Sequence, residues 1–264
     1  MALGSRRPVP VDSGVAQTLV RQVSWIAFFA TILMAWAWLY SMSVHMGMTP
    51  FGTMRAGMSM GMTSMSSLSV LVPMWTVMMA AMMGPTFVPT VRTYEDLIQS
   101  GAGTRSGFCG LILGYLGAWL CAGVVIAVLH AVFQRTGLVS GMGVSASALF
   151  SAALLMLAGA YQLTDAKDRC LSYCRNPMSH FLSDWRDGFS GSARSGARIG
   201  LYCIACCWAI MLLGFVGGAM NLIWMGIAVT IMTLEKLPDI GRWLTRPLGI
   251  CFVAAGFWHL TQLI

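Results

Sequence analysis

Five of the eight cysteines fall into two short motifs, Cys170 and Cys174 in CLSYC, and Cys203, Cys206 and Cys207 in GLYCIACCWAIM. On a helix, residues three and four apart stand side by side with Cβ atoms about 5–6 Å apart, so Cys203 shares a face with Cys206 and Cys207. That gap exceeds the roughly 3.5–4.5 Å between Cβ atoms that a disulfide takes, whereas a metal ion bridging the sulfurs tolerates it. C-x₃-C combined with C-x₂-C lies within the spacing of four-thiolate sites, and thiolates select soft or borderline ions such as Cu(I) or Zn(II). Arg169, Arg175 and Arg198 flank the motifs and would offset the charge of ionised sulfurs. The competing explanation is packing, since a free cysteine behaves as a small buried hydrophobe; that suffices for the isolated Cys109, Cys121 and Cys251.

Methionine supplies a second set of soft ligands. The segment SMSVHMGMTPFGTMRAGMSMGMTSMSS carries Met46, Met48, Met58, Met60 and Met62 at two-residue intervals on a backbone rich in Gly, Ser and Thr, where no apolar periodicity demands them. Thioethers need no deprotonation and suit Cu(I) or Ag(I); a lipid-facing or re-entrant Met-rich helix pair is the alternative. In VLVPMWTVMMAAMMGPTFVP, Met74, Met78 and Met82 form one i, i+4 ridge, beside Pro85 and Pro89, which would loosen the helix. The ridge reads either as a conduit for the ion or as helix packing, which is enough for Met34, Met156, Met211, Met225 and Met232. His45, His130 and His259 are candidates for a shared site, with isolated hydrogen bonding to neighbouring helices as the simpler alternative.

These groups need elements to carry them, and the composition says which. Of 264 residues 57% are hydrophobic and 9% charged, with a mean hydropathy of +0.73, far from the roughly one-quarter charged content of a soluble domain. The expected fold is all-α, a multi-pass transmembrane bundle forming a single integral membrane domain over residues 1–264. Seven spans are expected, at 23–44, 70–91, 108–133, 147–164, 199–215, 219–234 and 247–264. The fifth and sixth must form a hairpin turning at Gly217 and Gly218, because one helix over 199–234 would measure about 54 Å at roughly 1.5 Å per residue. In span three, Gly110, Gly114, Gly117 and Ala118 have the small-residue spacing of closely packed membrane helices.

With the N-terminus in the cytoplasm, 14 of the 16 basic residues fall on the inner side, leaving Arg55 and Arg135 outside. The net charge of +7 is therefore a topology signal, and nucleic acid is not expected as a partner. The Met-rich segment 42–69 then lies outside and the cysteine-containing segment 165–198 inside, the latter read as a surface loop holding one short helix. All nine carboxylates lie inside, so a hard cation would find none among the outer methionines.

MWTVMMAAMMGP, AGAYQLTDAKDRCLSYCRNPMSHFLSDWRDG, and GLYCIACCWAIMLLGFVGGAMNLIWM with LEKLPDIG together resemble a bacterial family of predicted metal-binding integral membrane proteins of unknown function. The chain departs from that pattern at Ala205, where the family usually has Gly, and at Gly84, Pro85 and Thr86; no sulfur is lost by either change. The resemblance implies a multi-pass protein with Cys170, Cys174, Cys203, Cys206 and Cys207 as metal ligands.

The resulting expectation is a non-enzymatic protein of the cell's inner, cytoplasmic membrane. It would bind Cu(I) and either move it through the lipid bilayer or supply it to a copper enzyme or copper chaperone, as an oligomer or a complex subunit. Outer methionines would capture, the interior ridge relay and the inner thiolates hold. Two other classes compete: an accessory subunit stapled by zinc, and a membrane thiol-redox protein, the latter disfavoured by thiols facing a reducing cytosol.

Overall fold

The computed structural model describes residues 11–45, 47–49, 51, 67–183 and 186–262. Among the described residues ten helices follow one another: α1 (Val11–His45), α2 (Leu68–Gln99), α3 (Arg105–Arg135), α4 (Ala148–Gln162), α5 (Asp165–Arg175), α6 (Pro177–Ser183), α7 (Gly188–Leu212), α8 (Gly214–Gly217), α9 (Leu222–Glu235) and α10 (Gly241–Thr261). The described residues form no strand, only an isolated bridge between Val139 and Ser145. Four helical stretches among the described residues are long and apolar enough to cross a membrane: 18–45, 68–99, 105–135 and 188–217; the pair α4 and α5, bent by 65°, makes a fifth if taken as one span. α9 is a shorter apolar helix.

The centre of the bundle is α2, α3 and α7. α3 and α7 lie backbone to backbone because glycines face each other's carbonyls. A Cβ on Gly114 would strike the Ala193 carbonyl oxygen, one on Gly196 that of Leu111, and one on Gly110 that of Phe189. This is the expected small-residue contact of span three, although Gly117 faces open space. α1 is the least embedded of the long helices, with only 6% of its most apolar window buried. It is tied to α2 by Trp36, whose Nε1 donates to the Ala81 carbonyl at 3.2 Å. That carbonyl lacks its helical donor because residue 85 is proline, and α2 runs through Pro73, Pro85 and Pro89 as one helix.

Segment 165–198 is not a surface loop with one short helix. It contains α5, α6 and the first three turns of α7. Gly and Ser in GFSGSARSGAR lower intrinsic helicity, but Gly191, Ser192 and Gly196 are buried, so the small residues serve as a packing face. The expected turn after span five is found: α8 ends at Gly217, and Gly218 takes φ +95°, a left-handed conformation that favours glycine.

Candidate metal centre

α5 folds back from α4 and lies against α7 on the side where the three thiols emerge. One joint holds it there. Lys167, fully buried, donates to both carboxylate oxygens of Glu235 at 3.0 and 2.8 Å and also to Gln162 Oε1. Gln162 Nε2 donates to Glu235 Oε1 at 2.7 Å, and Arg175 Nε donates to the Glu235 carbonyl at 3.0 Å. α4, α5 and α9 are thereby locked together, and Tyr161 of α4 adds α7 by donating to the Ala205 carbonyl at 2.6 Å.

The lock carries Cys174 to the thiols of α7. Its Sγ lies 3.9 Å from Cys206 Sγ, and it interacts with Cys203 as well. Cys206 and Cys207 both turn back to donate to the Cys203 carbonyl, at 3.1 and 2.8 Å. Cys203 Sγ is 3.3 Å from Tyr115 Oη, 4.0 Å from Met83 Sδ and 3.9 Å from Thr86 Oγ1. It accepts from Lys236 Nζ at 2.9 Å. Burial alone would push the Lys236 ammonium down; the sulfurs of Cys203, Cys206 and Cys174 outweigh it and hold the group well above the ordinary lysine range. Cys170, one turn before Cys174 on α5, is half-buried.

The cysteine pairings are those of free thiols, since a disulfide bond measures about 2.05 Å. Two sulfur–metal bonds of roughly 2.3 Å would span 3.9 Å with an angle of about 115° between them. Among the described residues no group of three or more His, Cys, Asp or Glu side chains forms a ready cage for an ion. The site is thus a sulfur pair with Cys203 and the thioether of Met83 beside it, which suits a soft ion satisfied by few ligands.

A family model matches residues 72–259 and describes copper chaperones of the PpoB2 type. The chain belongs to the PpoB2 copper chaperone family. This gives it a copper-related role and narrows the expectation of an uncharacterised metal-binding family. No curated protein and no solved structure matches the chain. The PpoB2 match includes the five clustered cysteines and the α2 methionines, and leaves out α1 and the Met-rich segment.

The other expected ligands fare differently. Met58, Met60, Met62 and Met46 lie outside the described residues, while Met48 is buried in the core. Met78 and Met82 are buried on α2. Among the described residues the histidines belong to no group of three or more His, Cys, Asp or Glu side chains that could hold a metal. His130 is fully buried, with Trp75 Nε1 donating to its Nδ1 at 3.1 Å and Gln134 Nε2 3.1 Å from its Nε2, so its ring nitrogens are already occupied. His45 is exposed at the end of α1 and His259 half-buried near the end of α10. The isolated Cys109, Cys121 and Cys251 are exposed on their helices and do not fill the core. Lys236, Tyr115 and Met83 were not read as site residues from the sequence. A lysine directly after an apolar helix, in LEKLPDIG, was the available signal.

Proposed function

We propose that this PpoB2-family chain is a multi-pass protein of the inner membrane that holds Cu(I) on Cys174 and Cys206, with Cys203 adjoining, for transfer across the bilayer or to a copper enzyme or copper chaperone. The supporting observation is the 3.9 Å approach of Cys174 to Cys206, which unites two motifs on separate helices in a buried, all-sulfur setting. Two thiolates and Cu(I) carry a net charge of −1, and Lys236 lies where it neutralises that charge. A stapling zinc would want four ligands, and the pair offers fewer. Seven spans with a cytoplasmic N-terminus, an outer Met-rich segment that captures the ion, and Cys170 as a further ligand complete the reading.

The test is a Cu(I) titration against a competing chelator, with the full chain in mild detergent under reductant. Cys203→Ser/Cys206→Ser/Cys207→Ser is expected to lose the tight copper equivalent, and Cys109→Ser/Cys121→Ser/Cys251→Ser to keep it. Unchanged copper retention by the first variant overturns the proposal. Tightly held zinc in freshly purified protein, with unfolding on chelation, would establish the staple instead.

A further inference from the structure

Beyond the thiols, the core holds a cavity of about 20 Å³ between α2, α7 and α9. Its lining residues include Met78, Met82, Met211 and Met225 and the tryptophans Trp75 and Trp224. Three helices thus bring methionines to one small space. Ordinary packing would fill such a space with hydrocarbon, since interiors tolerate few voids. The indoles are held firmly. Trp75 is anchored by its bond to His130 and packs on Phe215, with ring centroids 5.6 Å apart. Gly217 lies so close to the Trp224 ring that a Cβ there would collide with it. Trp224 Nε1 is buried without a hydrogen-bond partner.

This space adjoins the thiol cluster. Met211 Sδ is 3.9 Å from Cys207 Sγ, and Cys207 in turn donates to the Cys203 carbonyl at 2.8 Å.

We propose that Met78, Met82, Met211 and Met225 form a second, all-thioether site for one monovalent soft cation, Cu(I) or Ag(I), reached from the thiols through Cys207 and Met211. Thioethers are neutral and soft, so they bind such an ion without releasing protons. The indoles favour a single positive charge in a dry setting. A divalent ion would carry twice the charge with no anion among the lining residues, and buried charge without a partner is costly. This inference rests on the copper reading, but its ligands are different residues, so the two can fail separately.

The experiment uses Ag(I), a redox-stable probe, with the full-length protein in mild detergent, counting the metal retained against a weak competitor. Replacing all four methionines by leucine, a swap of similar volume, is expected to remove one Ag(I) equivalent both from wild type and from the Cys203→Ser/Cys206→Ser/Cys207→Ser protein. Because difference counting cancels silver held elsewhere, including at the outer methionines and the remaining cysteines, an unchanged count in the Cys203→Ser/Cys206→Ser/Cys207→Ser background reduces the chamber to packing and overturns the inference. If the fourfold variant does not fold, Met211→Leu alone in that background is expected to weaken Ag(I) retention roughly tenfold, equivalent to about 1.4 kcal/mol; no change again overturns it. A Cys variant that loses no silver would defeat the thiol site and leave the chamber standing.

Discussion

Lys167→Met tests the lock that brings Cys174 to α7. At 2.8 Å from Glu235 Oε2, an effective dielectric of about 20 gives an attraction of roughly 6 kcal/mol, most of it offset by the dehydration of two charges. Removing only the cation leaves the Glu235 carboxylate buried with Gln162 as its remaining donor, and deprives Gln162 Oε1 of its own donor. Breaking one side of a buried pair costs about 3–5 kcal/mol. At roughly 2 °C per kcal/mol for a chain of this length, the unfolding midpoint should fall by about 6–10 °C. Tryptophan fluorescence during heating in detergent measures this. Lys167→Met/Glu235→Gln removes the orphaned charge and should recover at least half of the loss. Because Cys174 lies two turns beyond Lys167 on α5, maleimide should also label Cys174 faster in the single variant, and copper retention should drop. A single variant melting within about 2 °C of wild type, or a double variant losing as much as the single, would refute the view that this ion pair positions α5.

Lys236→Met should lower Cu(I) affinity tenfold or more and shift selectivity toward Zn(II), because Cu(I) with two thiolates leaves one negative charge while Zn(II) leaves none, and each 1.4 kcal/mol is about tenfold; competition titrations with both ions measure it, and unaltered selectivity would show that the ammonium plays no part in ion choice. Gly114→Ala and Gly196→Ala should each cost about 1–3 kcal/mol, since the atoms in the way are backbone carbonyl oxygens of Ala193 and Leu111. Gly117→Ala, which meets nothing within 4 Å, should leave the melting midpoint unchanged or slightly raised, and equal effects at all three positions would contradict the α3–α7 contact.

The sequence carried much of this architecture because helices long and apolar enough to cross a membrane are marked by length and composition, and those properties are local. The small residues of span three are local as well, and they do meet a partner helix. What could not be read locally is how a weak helix former becomes helical. GFSGSARSGAR has the composition of a loop, yet Gly196 lies against the α3 backbone at Leu111, and Gly110 and Gly114 of α3 in turn make room for the Phe189 and Ala193 carbonyls; α3 is a neighbour about eighty residues earlier in the chain. Proline misled in the same way: Pro85 does free a carbonyl of α2, but Trp36 of α1 takes it up.

The candidate metal centre divides along similar lines. Cysteine spacing on one helix identifies which sulfurs share a face, and that is geometry fixed within a few residues. The charge beside those sulfurs is not. Cys203 meets Lys236, Tyr115 and Met83 across 33, 88 and 120 residues of chain, on three other elements of the bundle. From the sequence, Lys236 counted only as one more inner-side positive charge. In the fold it is buried, with its Nζ 2.9 Å from Cys203 Sγ. Contacts across that much chain leave no trace in the spacing of either cysteine motif, so the cation beside the sulfurs is found only in the fold.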